Sequence, residues 1–199
     1  MSTVDSFKAM VTSGDFQAQG SVLGSIKVNL VVGSTSGSIT GTFMVKGGDS
    51  AVSTTSNVLG ITTTNDNIVV GNWAYSRTNA GPWTTAAASG KTLQSVVGSG
   101  IVLSDGGVET KFGKQLHRLS VANMDGVDPS TFGISADPGQ ENLTLTSLSF
   151  WAEDDGTPAG LTIEASFDQK IFITPSHETV TLDISIDTLS GVTITAPTS

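Results

Sequence analysis

The residues Asn67-Ile68-Val69-Val70-Gly71-Asn72-Trp73-Ala74-Tyr75-Ser76-Arg77-Thr78-Asn79-Ala80-Gly81-Pro82-Trp83-Thr84-Thr85-Ala86 decide the fold. Positions 68–77 are apolar, β-branched and aromatic, the composition of a strand. Asn79-Ala80-Gly81-Pro82 supplies turn chemistry: Gly81 tolerates positive φ, and Pro82 fixes φ and cannot donate to a ladder. Trp83-Thr84-Thr85 opens a second strand. Strand side chains alternate between faces, so Trp73, Tyr75 and Arg77 share one. A hairpin with so much aromatic area anchors a core or a ligand cavity, and core packing is the ordinary reading.

The 199 residues suffice for one sizeable domain, and no Pro/Ser-rich or charged linker divides them, so residues 1–199 read as one unit. Charged residues make up only 14% of the chain, while Gly, Ser and Thr are abundant, a balance that builds strands and turns. The formal charge of −9 and nine scattered basic residues argue against nucleic acid, whose phosphates need clustered Lys and Arg. They argue equally against electrostatic docking on anionic lipid. The absence of cysteine excludes disulfides, thiolate metal sites and cysteine nucleophiles. No apolar run reaches the roughly 18 residues of a membrane-spanning helix, and no signal peptide is seen.

In chain order, residues 3–13 read as a short amphipathic helix, with Thr3 as cap and Val4, Phe7, Met10 and Val11 at helical spacing. Residues 15–87 read as a β-meander. Strands are expected at 16–21, 25–32, 38–46, 51–56 and 59–64, and Asn65-Asp66-Asn67 turns into the central hairpin. In the second strand Ile26, Val28, Leu30 and Val32 share a face. Tight turns without crossover helices imply antiparallel pairing. Residues 89–98 change period: Leu93, Val96 and Val97 stand at i, i+3 and i+4, a second helix. Residues 100–109 are ambiguous, 111–121 a strand, and 125–134 a loop with one helical turn. Strands then follow at 142–153, 160–170, 171–173, 178–187 and 192–196, with Asp154-Asp155-Gly156-Thr157-Pro158 a strong hairpin turn.

The order of a short helix, a meander, then Tyr75-Ser76-Arg77-Thr78 with Gly81-Pro82-Trp83, resembles the bacterial LolA-like superfamily, above all its LppX/LprG-type lipid-carrying lipoproteins. Gly113-Lys114-Gln115-Leu116-His117-Arg118-Leu119 looks like that family's re-entrant strand. Phe150-Trp151-Ala152 through Pro158 resembles its strand ending in an acidic-Gly-x-Pro turn. The resemblance spans residues 3–185. A meander unusually rich in Gly, Ser and Thr, and the missing lipid-attachment cysteine, depart from the pattern. The resemblance implies a mainly β (α+β) fold: a strongly curved antiparallel sheet, or incomplete β-barrel, with a few short helices over its concave face. It implies a non-catalytic cell-envelope lipoprotein domain, carrying an acyl chain or lipoprotein acyl groups between sheet and helices. The expected partners are that lipid, a membrane reached through a removed N-terminal anchor, and a membrane transporter or other envelope protein; no cofactor is expected. Leu30, Phe43, Trp73, Tyr75, Leu93, Val96, Val97, Trp151 and Phe167 are the expected lining. Arg77, beside Tyr75, is a candidate for a phosphate or carboxylate head group. The alternative is a structural or adhesive surface β-module with a filled core.

Motifs for chemistry are absent. His117 and His177 have no metal-like spacing and read as scaffold residues. Gly33-Ser34-Thr35-Ser36-Gly37 has Thr where a nucleophile elbow needs Ser. Neither a Walker loop nor a dinucleotide fingerprint occurs. Asp154-Asp155 and Asp125…Asp128 lack EF-hand spacing and read as turns.

Overall fold

The computed structural model describes residues 1–13, 21–32, 35–58, 60–88, 101–124, 127, 129, 140–171, 174–188 and 191–198. Among them are one helix, α1 (Thr3–Ser13), and eleven strands. These are β1 (Ser21–Val32), β2 (Thr35–Lys46), β3 (Asp49–Val58), β4 (Ile61–Val70), β5 (Trp73–Thr78), β6 (Thr84–Ala87), β7 (Leu103–Lys111), β8 (Lys114–Val121), β9 (Gln140–Ala152), β10 (Pro158–Ile171) and β11 (Thr174–Thr188). All eleven form one sheet in the order β6-β5-β4-β3-β2-β1-β11-β10-β9-β8-β7. Two meanders, β1 to β6 and β7 to β11, are therefore joined where β11 returns beside β1. Every pairing is antiparallel. β6 and β7 stay apart as edges, so the sheet is an open, incomplete barrel.

Several boundaries differ from those expected. β4 runs straight through Asn65-Asp66-Asn67, and the turn falls at Gly71-Asn72 instead. Cross-strand partners engage the first two of these side chains: Thr78 Oγ1 donates to Asn65 Oδ1, and Ser53 Oγ and Arg77 Nε donate to Asp66. Gly71 carries the positive φ of 58°, and its N–H donates to Asp49 Oδ1 at 2.8 Å. The long strand expected at 68–77 is thus the end of β4 and the whole of β5. In the β5–β6 connection, Asn79 and Ala80 hold φ of 50° and 55°, not Gly81. With Gly81 N–H donating to Thr78 O, this is a turn of the I′ hand, which suits the sheet twist.

Ser2, rather than Thr3, caps α1: its Oγ accepts from Asp5 N–H, while Thr3 Oγ1 donates to the Asp154 carbonyl. Residues 192–196 are not a strand; Val192 is buried and its N–H donates to Ser21 Oγ at 2.6 Å. The expected helix at 89–98, the strand at 16–20 and most of the 125–134 loop lie outside the described residues.

The main core lies on one face of the sheet under α1. Phe7, 2% exposed, sits among Leu103, Leu119, Leu145, Leu148, Phe150, Leu161 and Ile163. Its ring centroid is 5.3 Å from that of Phe150. Burying one such ring stabilises by about 1.5–3 kcal/mol, enough to hold an eleven-residue helix that is marginal alone. Gly156, at φ 89°, lets the helix approach the β9–β10 turn: a Cβ there would collide with Ser6 and the Phe7 amide.

Candidate functional site

Directly opposed residues in an antiparallel pair share a face, so the registers sort every strand residue. Starting from Leu161 and Ile163 in the core, the same face carries Ile184, Leu182 and Val180 on β11. It continues to Ile26, Val28 and Leu30 on β1, then Gly41, Ile39 and Gly37 on β2. Phe43 opposes Gly24 and Val52, extending the stripe to β3. Phe43 lies over Gly24, where a Cβ would collide with its ring and with the Ser185 carbonyl. Phe167, buried, opposes Glu178 on the same face.

This face has two halves. Under α1, from β8 to β10, its apolar side chains are buried. From β1 to β3, Ile26, Val28, Leu30, Ile39, Phe43, Val45 and Val52 are only half-buried and lie outside the buried clusters. Gly37 and Gly41 interrupt the stripe, and β3 closes over both: a Cβ on Gly41 would collide with the Ser53 carbonyl and the Thr54 backbone, and one on Gly37 would lie 3.3 Å from Val58 Cγ2.

The ten expected ligand residues do not converge on one place. Leu30, Phe43 and Phe167 are on the helix-bearing face. Trp73, Tyr75 and Arg77 oppose Val70, Ile68 and Asp66, which the registers put on the other face. Trp151 also lies there, opposite Gly160 and Arg118. Leu93, Val96 and Val97 lie outside the described residues. Strand parity was sound within the central hairpin, but aromatic residues on different strands were grouped without a register to relate them.

On the opposite face the side chains are engaged with one another. Arg77 Nε donates to Asp66 Oδ2 at 2.7 Å, and its guanidinium stacks 4.5 Å from the Trp83 ring. Hydrogen bonds from Ser53 and then Arg77, with the Arg77 charge, hold the Asp66 carboxyl below its ordinary value. The guanidinium proposed for a head group is thus paired within the protein. Trp151 Nε1 donates to Thr162 Oγ1, which donates to Asp183; Lys111 Nζ reaches the same carboxylate oxygen at 2.6 Å. Phe112, at φ 53°, folds back from the β7–β8 turn edge-on to Trp151 and onto Gly160. With Leu116 and Ala159 they form a small second core.

His117 bridges Asp105 (Nδ1, 2.9 Å) and Asp154 (Nε2, 3.2 Å), and His177 pairs with Asp168 at 2.8 Å. Asp155 Oδ1 accepts from Thr157 N–H, which is turn chemistry. Among the described residues no three His, Asp or Glu side chains are grouped to hold a metal ion. Glu178, 1% exposed, was missed. It stands in phase with Val180, Leu182 and Ile184, so the alternation alone marks it as an inward carboxyl.

Neither a family model nor a curated protein matches the chain. Among solved structures it is similar to LprF from Mycobacterium bovis, at 14% identity over 96% of this chain and 97% of that one, with a TM-score of 0.48. It is similar to the LolA superfamily protein NE2245 from Nitrosomonas europaea at 9% identity over 93% and 92%, TM-score 0.34. A putative outer membrane lipoprotein-sorting protein domain from Vibrio parahaemolyticus gives 11% identity over 92% and 94%, TM-score 0.31. These are structures of the kind the sequence resembles. At such scores they carry no functional argument, which rests on the sheet itself.

Proposed function

We propose that this chain is a non-catalytic binder or carrier of a hydrophobic ligand, an acyl chain above all, in the cell envelope. The observation that carries the reading is the half-buried apolar stripe from Val180–Ile184 through Leu30 and Val28 to Ile39, Phe43 and Val52. An acyl chain laid along it would bury CH₂ groups at about 0.8 kcal/mol each. Leu30, Phe43 and Phe167 would line the site, with Leu93, Val96 and Val97 as further expected contacts. Trp73, Tyr75, Arg77 and Trp151 belong to the other face and drop out of the proposed lining.

The test is uptake of a fluorescent fatty acid by the protein and by Leu30→Asp. Saturable uptake, weakened about tenfold or more by the buried charge, supports the reading, provided the variant keeps its β circular dichroism. Absence of uptake would favour the competing one, a structural or adhesive module. The Ser/Thr-rich β3 and β4, whose face residues Thr54, Ser56, Thr63 and Asn65 are polar, speak for that alternative.

A further inference from the structure

His117 joins three elements beside the main core. It stands on β8 two residues before buried Leu119 and opposes buried Ala152 on β9, so its ring lies on the helix-bearing face. Its Nδ1 is 2.9 Å from Asp105 Oδ2, at the register break of edge strand β7. Its Nε2 is 3.2 Å from Asp154 Oδ1, in the β9–β10 turn. That turn seats α1: Thr3 Oγ1 donates to the Asp154 carbonyl, and Gly156 lies so close to Ser6 and Phe7 that a Cβ would collide with them. Among the described residues β8 is in register with β9 only from His117 to Ser120. The ring therefore stands at the end of the short ladder that holds the β7–β8 hairpin to the sheet.

Carboxylates only accept hydrogen bonds, and a neutral imidazole has a single N–H. Both contacts are satisfied together only by the imidazolium. The two carboxylates are not equally fixed. Asp105 is pinned by Gly107 N–H, which donates to its Oδ1 at 2.8 Å. The Asp154 side chain is 92% exposed. A ring that has lost one proton keeps Nδ1–H on Asp105, and its bare Nε2 then faces the Asp154 oxygen, acceptor against acceptor. Asp154 is the side chain with room to turn away. The other charged groups on these elements are carboxylates and cations. Asp5 accepts from Ser2 and Asp155 from Thr157 N–H; Lys114 pairs with Glu153, Arg118 with Glu109 and Lys111 with Asp183; Lys8 is on α1. Of these side-chain types only histidine ordinarily changes charge between about pH 5 and 8.

We propose that His117 is a proton-controlled latch between the β7–β8 hairpin and the β9–β10 turn that seats α1. The latch is closed while the ring is protonated and opens as pH rises through the histidine range, about 6.5 for a free ring. Opening loosens the first turn of α1, whose seat is no longer tied to the edge hairpin. A consequence for cargo rests on the proposed ligand face: α1 then lifts more readily from the buried half adjoining the apolar stripe, and an acyl chain exchanges faster at higher pH.

The test is amide hydrogen exchange at 5–8 and 154–157, at pH 5.5 and pH 8, corrected for intrinsic rates, on the intact chain. Exchange is expected to be about two- to fivefold faster at pH 8, the range of an ion pair this exposed. His117→Gln, which cannot bridge both carboxylates, should exchange fast at both pH values. Asp154→Asn should reverse the sign, because its Nδ2–H donates to the bare Nε2; exchange then stays slow at pH 8. His177→Gln, changing the other histidine, should keep the normal profile. A profile without pH dependence, one that survives in His117→Gln, or one abolished by His177→Gln would overturn the proposal. Release of a fluorescent fatty acid should be faster at pH 8 in the protein and equal at both pH values in Asp154→Asn. A protein that takes up no fatty acid yet shows the exchange profile and its reversal supports the latch and refutes the ligand reading.

Discussion

The residue scale is clearest at Asp66. Its carboxylate accepts from Ser53 Oγ and Arg77 Nε, both at 2.7 Å, which favours the charged form and lowers its pKa from the ordinary 3.8. The folded state then releases this proton more readily than the unfolded state. Its stabilisation is complete above the unfolded value and is lost as pH falls through the lowered folded one. Asp5, Asp155 and Asp168 are lowered as well, by hydrogen bonds chiefly from Ser2, Thr157 and Asn142, and add to the same acid limb. Urea midpoints should therefore decline from about pH 5 towards pH 2. Asp66→Asn should be the less stable protein at neutral pH, with the gap closing in acid; a gap independent of pH would refute the assignment. None of this was legible in the sequence. Asn65-Asp66-Asn67 has the composition of a turn, and only the register of β3 and β5 reveals that the strands on either side satisfy it. The surroundings of Arg77 were hidden for the same reason, because Asp66 and Trp83 are its neighbours only after pairing.

At the scale of elements, the strands with strong alternation were read correctly and the turns less so. Ile26, Val28 and Leu30 announced β1, and their common face is the one observed. The β5–β6 turn was placed correctly, but its positive φ was assigned to glycine by habit. The structure puts it on Asn79 and Ala80, the central pair of a type I′ turn closed by Gly81 N–H donating to Thr78 O within the five-residue connection between β5 and β6. Alanine in that region costs roughly 1–2 kcal/mol, part of which glycine would forfeit through its freer unfolded chain. Ala80→Gly should stabilise by about 0.5–1 kcal/mol and raise the Tm by about 2–4 °C. A lower Tm in a thermal melt would show that the turn is not of this hand. At the β7–β8 turn, by contrast, Phe112 holds φ 53° because its ring contacts Trp151 and lies on Gly160. That contact joins residues 112, 151 and 160, and no local pattern predicts it.

For the whole molecule, the sequence resemblance carried the open antiparallel sheet, and the alternating strands supported it. The closing pair β1–β11 joins residues more than a hundred positions apart and could be inferred only through the family likeness. The division of aromatic residues between two faces was hidden for the same reason, since each face depends on ten successive registers. What emerges is one face with a buried half under α1 and a half-buried apolar half beyond it. The claim that this second half receives an acyl chain is tested most directly by native mass spectrometry of the purified protein, followed by organic extraction. The account predicts a stoichiometric adduct that yields fatty acid or phospholipid and is lost in Leu30→Asp. A clean mass of the bare chain that stays unchanged after incubation with excess fatty acid would contradict it.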